Sequence, residues 1–235
     1  MEGWLTMKRK MIKTIVRGLL LASLVGLFGS FNVFAKNGGI KPYELPESSI
    51  NYIETNVGIQ KECKGVVLLD LPHHDTELDV GASYGAITER DISESISLKV
   101  KDILEANGVT VILMREPNEV ISIADRVAKA NSLEGYDYYI SLHCNSSEAS
   151  NVTGGVEGYS VGAWTLTNDI LKGLCNEFGV FNRGIYYSEY YNCNIKQKNT
   201  LIELGFLNSN TDRNNLVNRQ DDYARIIADA ILNNL

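Results

Sequence analysis

Val66-Val67-Leu68-Leu69-Asp70-Leu71-Pro72-His73 opens the stretch whose pattern sets the fold. Val66 to Leu71 is a nearly continuous apolar run of buried-strand length, closed by a proline. Ile92, Ile96, Val100, Ile103 and Leu104 then recur at helical spacing until Asn107-Gly108 stops the helix. Val109 to Met114 reads as the next strand, Ile121 to Asn131 as a short helix and Asp137 to His143 as a third strand. Further on, Gly155 to Val161 suits a strand, Trp164 to Phe178 a helix, Gly184 to Ser188 and Thr200 to Leu204 strands, and Asp221 to Leu232 a closing helix. This alternation predicts an α/β fold: a single domain with a twisted, mostly parallel mixed sheet and helices on both faces.

Ligands in such folds collect at the carboxyl ends of strands. The chain has three histidines; His73 follows one predicted strand and His143 ends another, while Glu89 stands at a helix entrance. That placement points to a metal site. Glu203 lies between Ile202 and Leu204 in an apolar run, where a carboxylate is costly unless it is paired or functional.

The chain has 235 residues and 44% hydrophobic content, enough for a sizeable core. Residues 1–35 carry Lys8, Arg9, Lys10, Lys13 and Arg17 ahead of an apolar run that ends in Val33-Phe34-Ala35, a small-residue cleavage pattern. They are expected to be a signal peptide or, uncut, a membrane anchor, so the domain is exported: extracellular or associated with the cell envelope. Residues 36–64 read as a linker and residues 65–235 as the folded domain. Without residues 1–35, 17 basic residues face 28 acidic ones, a net charge of −11, which argues against nucleic acid as a partner. Membrane contact is then expected only through an uncleaved leader. Cys63, Cys144, Cys175 and Cys193 form no C-x-x-C pair. Free thiols and up to two disulfides both stay open.

Leu69-Asp70-Leu71-Pro72-His73, Asp79-Val80-Gly81-Ala82, Thr88-Glu89-Arg90-Asp91, Ser141-Leu142-His143-Cys144-Asn145 and Leu201-Ile202-Glu203-Leu204-Gly205-Phe206 follow one another in an order and spacing that resembles the type 3 family of zinc-dependent N-acetylmuramoyl-L-alanine amidases. The likeness runs from Val66 to about Asn234. It implies one catalytic Zn2+ held by His73, Glu89 and His143, with Glu203 as the acid that takes a proton from water and returns it to the leaving amine. The implied substrate is peptidoglycan, cut between N-acetylmuramic acid and L-alanine in wall remodelling or spore cortex formation. The resemblance also leaves room for a regulatory protein partner.

This chain departs from the family around the first histidine. Pro72 precedes His73, and His74 and Asp75 follow it, where the family usually has glycines. His74 is therefore a rival ligand. Arg115, Arg126, Asn131, Asn145 and Arg183 match further family positions, of which Asn145 and Arg183 are taken as substrate contacts and the first two arginines as equally suited to ion pairs. Cys144, one residue past His143, should point to the opposite face and pack as a core thiol. Two other readings remain at this stage. One is a catalytically impaired peptidoglycan-binding module, and the other a zinc peptidase or deacetylase acting on a different amide.

Overall fold

A computed structural model describes residues 63–74, 79–148 and 153–235. The leader at 1–35 and all but the last two residues of the 36–64 linker lie outside the described residues.

Six strands form the main sheet: β1 (Gly65–Asp70), β4 (Val109–Leu113), β5 (Tyr138–Asn145), β6 (Val156–Val161), β7 (Asn182–Tyr187) and β8 (Asn199–Phe206), in the order β4-β1-β5-β8-β6-β7. The first four of that order run parallel; β6 pairs antiparallel with β8 and parallel with β7, so the last two strands run the opposite way. A hairpin of β2 (Ser83–Tyr84) and β3 (Ile87–Thr88) stands apart. The helices are α1 (Glu89–Ala106), α2 (Ile123–Ser132), α3 (Trp164–Phe178), α4 (Asn210–Asn218) and α5 (Gln220–Asn234). A 3-10 turn at Tyr191–Asn194 precedes β8. The mostly parallel mixed sheet and the single α/β domain are as expected from the sequence.

Because side chains alternate along a strand, each strand divides its residues between two faces. Val67 and Leu69 of β1, Ile140, Leu142 and Cys144 of β5, and Ile202 and Leu204 of β8 join the larger core. There they meet Ile92, Ile96, Val100 and Leu104 of α1, Ile170, Leu171 and Leu174 of α3, and Tyr223, Ile227 and Ile231 of α5. The other face is covered more thinly. Leu68 and Tyr139 pack with Ala130 of α2, Met114, Tyr136 and Ile195. That second face also carries Asp70, Ser141, His143, Glu203 and Glu157, and the site is built there.

Caps place the helices. Thr88, Ser122 and Ser209 each accept a hydrogen bond from the amide of an aspartate three residues on, at the starts of α1, α2 and α4. The helix α4 was missed by periodicity because Asn210-Thr211-Asp212-Arg213-Asn214-Asn215 carries no apolar stripe; the Ser209/Asp212 pair was the available signal.

On the polar face Asp70, fully buried, accepts two hydrogen bonds from Arg126, at 2.9 and 3.0 Å, and one each from Ser141 and Tyr191. Arg115, also buried, binds Glu94 and the Leu71 carbonyl, and Asn131 bridges the Asn194 carbonyl and the Lys196 amide. These three family-matched residues hold structure together. Arg126→Met should leave Asp70 buried without its charge partner and cost about 3–5 kcal/mol, seen as a lower urea midpoint. A loss below about 1 kcal/mol would mean that the hydroxyls of Tyr191 and Ser141 satisfy Asp70 by themselves.

Candidate active site

His73 stands three residues past the end of β1 with φ 59°, in the left-handed region that costs a non-glycine residue roughly 1–3 kcal/mol. Its Nδ1 lies 2.6 Å from Asp79 Oδ1 and its Nε2 3.1 Å from Glu89 Oε1. His143, near the end of β5, has Nδ1 2.8 Å from the same Glu89 oxygen and Nε2 3.4 Å from the Tyr191 hydroxyl. Glu89 itself is the first residue of α1, capped in place by Thr88, and its carboxylate also accepts from the amides of Ala82 (2.8 Å) and Cys144 (3.1 Å).

One arrangement of protons suits a cation. Asp79 accepts from His73 Nδ1, so His73 Nε2 carries the lone pair. The Tyr191 hydroxyl donates to Asp70 at 2.6 Å, so its oxygen is open to accept from His143 Nε2 at 3.4 Å, which leaves Nδ1 its lone pair for a cation. Two imidazole lone pairs and one carboxylate oxygen therefore converge, with the donor atoms within 4.8 Å of one another. Without a cation the same nitrogens share protons with the Glu89 carboxylate instead. His73, Glu89 and His143 are the donor types of a His2Glu zinc site, and Asp79 and Tyr191 hold the far ring nitrogens as partners of metal-bound imidazoles do. Without a cation, burial would push the Glu89 carboxyl up, but the hydrogen bonds and charges of His143 and His73 outweigh it and hold it far below the usual carboxylate range. The reciprocal effect raises His73, against its own burial.

His74 falls outside this donor set. Its Nε2 lies 3.3 Å from Asp79 Oδ2 and its amide donates to the Asp79 carbonyl. Cys144 is buried on the core face beside Ser93, as strand alternation required, and all four cysteines are free thiols.

One register of the sheet carries the rest of the chemistry. His143 on β5 is paired with Glu203 on β8, and Glu203 with Glu157 on β6. Glu203 Oε2 is buried and has no hydrogen-bond partner among the described residues. Burial, with the negative charges of Glu89 and Glu157, pushes this carboxyl up to about 8. Among the described residues no arginine pairs with Glu203, the contact that would have made it merely structural.

Glu157 went unremarked in the sequence. It is buried and accepts from Asn145 Nδ2 at 2.7 Å, the Tyr159 hydroxyl at 3.1 Å and Arg183 Nε at 3.2 Å. Asn145 and Arg183 are thus brought together through it, and the Arg183 guanidinium also lies 4.8 Å over the Phe206 ring. Glu157 sits near the start of its strand, so a search of carboxyl ends passes it by. The reversal of β6 carries it to the site.

The mixed α/β sheet thus carries a His2Glu group that could hold a metal ion, beside a glutamate whose Oε2 has no partner among the described residues. The chain belongs to the N-acetylmuramoyl-L-alanine amidase family, which matches it over residues 67–233. Among curated relatives, the uncharacterized protein YqiI of Bacillus subtilis is 30% identical, covering 67% of this chain and 77% of that protein. The germination-specific N-acetylmuramoyl-L-alanine amidase of Bacillus subtilis is 26% identical across 95% of both chains. Among solved structures, the catalytic domain of the amidase CwlV from Bacillus (Paenibacillus) polymyxa superimposes with TM-score 0.64 at 27% identity, covering 72% of this chain and 97% of that one. AmiC2 of Nostoc punctiforme gives 0.66 at 26%, covering 73% and 97%. The protein is accordingly an enzyme of the amidase class, and peptidoglycan is the substrate that fits the family.

Gly81 tests the donor set. With φ +68°, it leaves room that a Cβ would fill 2.5 Å from Glu89 Oε2 and 2.7 Å from the His73 ring. Gly81→Ala should displace both side chains and weaken zinc affinity by about 10-fold or more, and His143→Ala should abolish it, both measured by competition with a chromogenic chelator. His74→Ala should leave the affinity little changed. Metal loss in the His74 variant instead would move the site to that neighbour.

Proposed function

We infer that the protein is an exported, zinc-dependent amidase that hydrolyses the bond between the lactyl group of N-acetylmuramic acid and the L-alanine of the stem peptide. The observation that carries this reading is the buried, unpartnered Glu203 oxygen on the strand beside His143, in register with it. His73, Glu89 and His143 would hold the ion. Bound there, zinc supplies Lewis acidity for the carbonyl and brings the ionisation of water near neutral pH.

The chain's own residues do the remaining work. Glu203 takes the proton of the attacking water on Oε2 and delivers it to the leaving alanine nitrogen, a role that suits a carboxyl whose affinity for protons lies near neutral pH. Asp79 and Tyr191 fix the two imidazoles so that neither turns its N–H toward the site. Glu157 holds Asn145 and Arg183, our candidates for contact with the peptide stem; the guanidinium is suited to a stem carboxylate.

Export follows from the basic segment, apolar run and Val33-Phe34-Ala35 at residues 1–35. The reaction belongs to cell-wall remodelling. Likeness over nearly the full length to the germination-specific amidase favours the spore wall as its setting.

Two measurements test the role of Glu203. Glu203→Gln should keep its zinc while peptide release from purified peptidoglycan, followed by mass spectrometry, falls by roughly 100-fold or more. Undiminished release would remove Glu203 from the reaction, and fragments cut at another bond would replace the amidase reading with a different hydrolase.

The second concerns metal-free protein. A carboxyl raised to about 8 in the folded state binds its proton more tightly folded than unfolded. Its contribution to stability is complete below its ordinary value near 4.3 and is lost as pH rises toward 8, by a few kcal/mol. Thermal unfolding of the metal-free protein at pH 5 and pH 8 should show this loss, and Glu203→Gln should shrink it. An equal pH slope in both proteins would mean that Glu203 is ionised in the fold.

A further inference from the structure

Next to the register that carries His143, Glu203 and Glu157 lies another of different character. Two residues back along the strands, Ser141 pairs with Leu201, Leu201 with Tyr159, and Tyr159 with Tyr186. Side chains two apart share a face, so this row lies on the same polar, thinly covered side as the candidate site, about 7 Å along the strands from it. Tyr159 and Tyr186 have ring centroids 5.6 Å apart, and Tyr190 stands edge-on to Tyr159 at 4.7 Å. Tyr186 and Tyr190 are each nearly half exposed, at 47% and 48%.

These rings are held outward by a buried polar frame. Asn192 has no exposed surface and accepts from the Ser188 hydroxyl, while its amide nitrogen donates to the Tyr159 carbonyl and to Asn199 Oδ1. Ser188 in turn accepts from the Tyr190 amide, and the Tyr186 hydroxyl donates to the Arg183 carbonyl. Three strands and the turn are thereby tied behind the aromatic surface. The Tyr159 hydroxyl donates to Glu157 Oε1, so the platform continues directly into the charged register.

We propose that Tyr159, Tyr186 and Tyr190 form a binding platform for a sugar ring of the glycan strand, on the acyl side of the amide that is cut. The inference rests on the peptidoglycan reading of the neighbouring site. In that substrate the carbonyl side of the amide leads at once to an uncharged, N-acetylated sugar, whereas the amine side leads to a peptide bearing carboxylates. The two registers divide in the same way: Arg183 belongs with the charged groups, and the adjacent row offers aromatic faces that can cover the apolar face of a sugar while the Tyr159 and Tyr186 hydroxyls are held by Glu157 and the Arg183 carbonyl.

The test uses the full chain and an oligomer of N-acetylglucosamine as probe, titrated with detection by protein NMR or tyrosine fluorescence. Saturable binding should weaken about 10-fold for each ring lost in Tyr186→Ala and Tyr190→Ala. Tyr186→Phe, which keeps the ring, should retain most of it. Circular dichroism checks that each variant is folded. No binding by the parent protein, or equal binding by the parent and the Tyr186→Ala/Tyr190→Ala double variant, overturns the platform.

Peptide release from whole peptidoglycan separates this from the reading beneath it. If the double variant releases peptide with the parent's KM, the platform is wrong and the amidase reading stands. If the parent releases none, the amidase reading fails, and a saturable oligosaccharide titration lost in the double variant still identifies a glycan site. A raised KM in the double variant with kcat retained supports both.

Discussion

The Glu89 carboxylate is the point on which the site depends. It receives backbone amides from Ala82 and Cys144 and faces ring nitrogens of His73 and His143, so one side chain ties the loop after β1, the hairpin, α1 and β5 together. Burial of an anion at that position is tolerable only because each of its oxygens is met. The same saturation explains why Gly81 is required beside it and why His73 accepts a left-handed backbone. Strain at the first histidine is balanced by the fixed position of the groups it meets.

The two faces of the sheet divide the labour. On one, α1, α3 and α5 bury the alternate residues of every central strand in a continuous apolar core. On the other, Asp70, Ser141, His143, Glu203 and Glu157 follow one another across neighbouring strands. Buried polar groups on that side are costly singly, and the structure satisfies most of them through Arg126, Tyr191, Asn145 and Arg183. Glu203 Oε2, like the Tyr139 hydroxyl, has no partner among the described residues, and at Glu203 chemistry gives a reason: an acid kept without a partner is free to exchange a proton.

Tyr191 joins these two themes. Its hydroxyl is committed to the Asp70 carboxylate, and that commitment leaves its oxygen to accept from His143 Nε2 and so favours a lone pair on Nδ1. A structural ion pair on β1 thus reaches the tautomer of a candidate ligand on β5 without touching it. The chain departs from the family around His73, where Pro72 and His74 replace glycines, yet His74 turns to Asp79 and supports the carboxylate that holds His73.

Much of this was written in the sequence. Continuous apolar runs and helical spacing specified the alternating strands and helices, because burial on one or two faces leaves a periodic trace. The blocks around His73, Glu89, His143 and Glu203 pointed to the family, and His73, Glu89 and His143 do converge as a group that could hold a metal ion. The helix α4 left no such trace, because its first six residues are polar, its apolar residues are only Leu216 and Val217 near the end, and its cap alone marks its start. What sequence could not decide is what strand direction decides. Glu157 and Arg183 lie near the starts of β6 and β7, and only the reversal of those two strands brings them to the carboxyl ends of β5 and β8. The grouping of Tyr159, Tyr186 and Tyr190, and the proton placement on His143, likewise depend on registers and contacts between segments far apart in the chain. A period along one strand carries no record of which residue the next strand sets beside it.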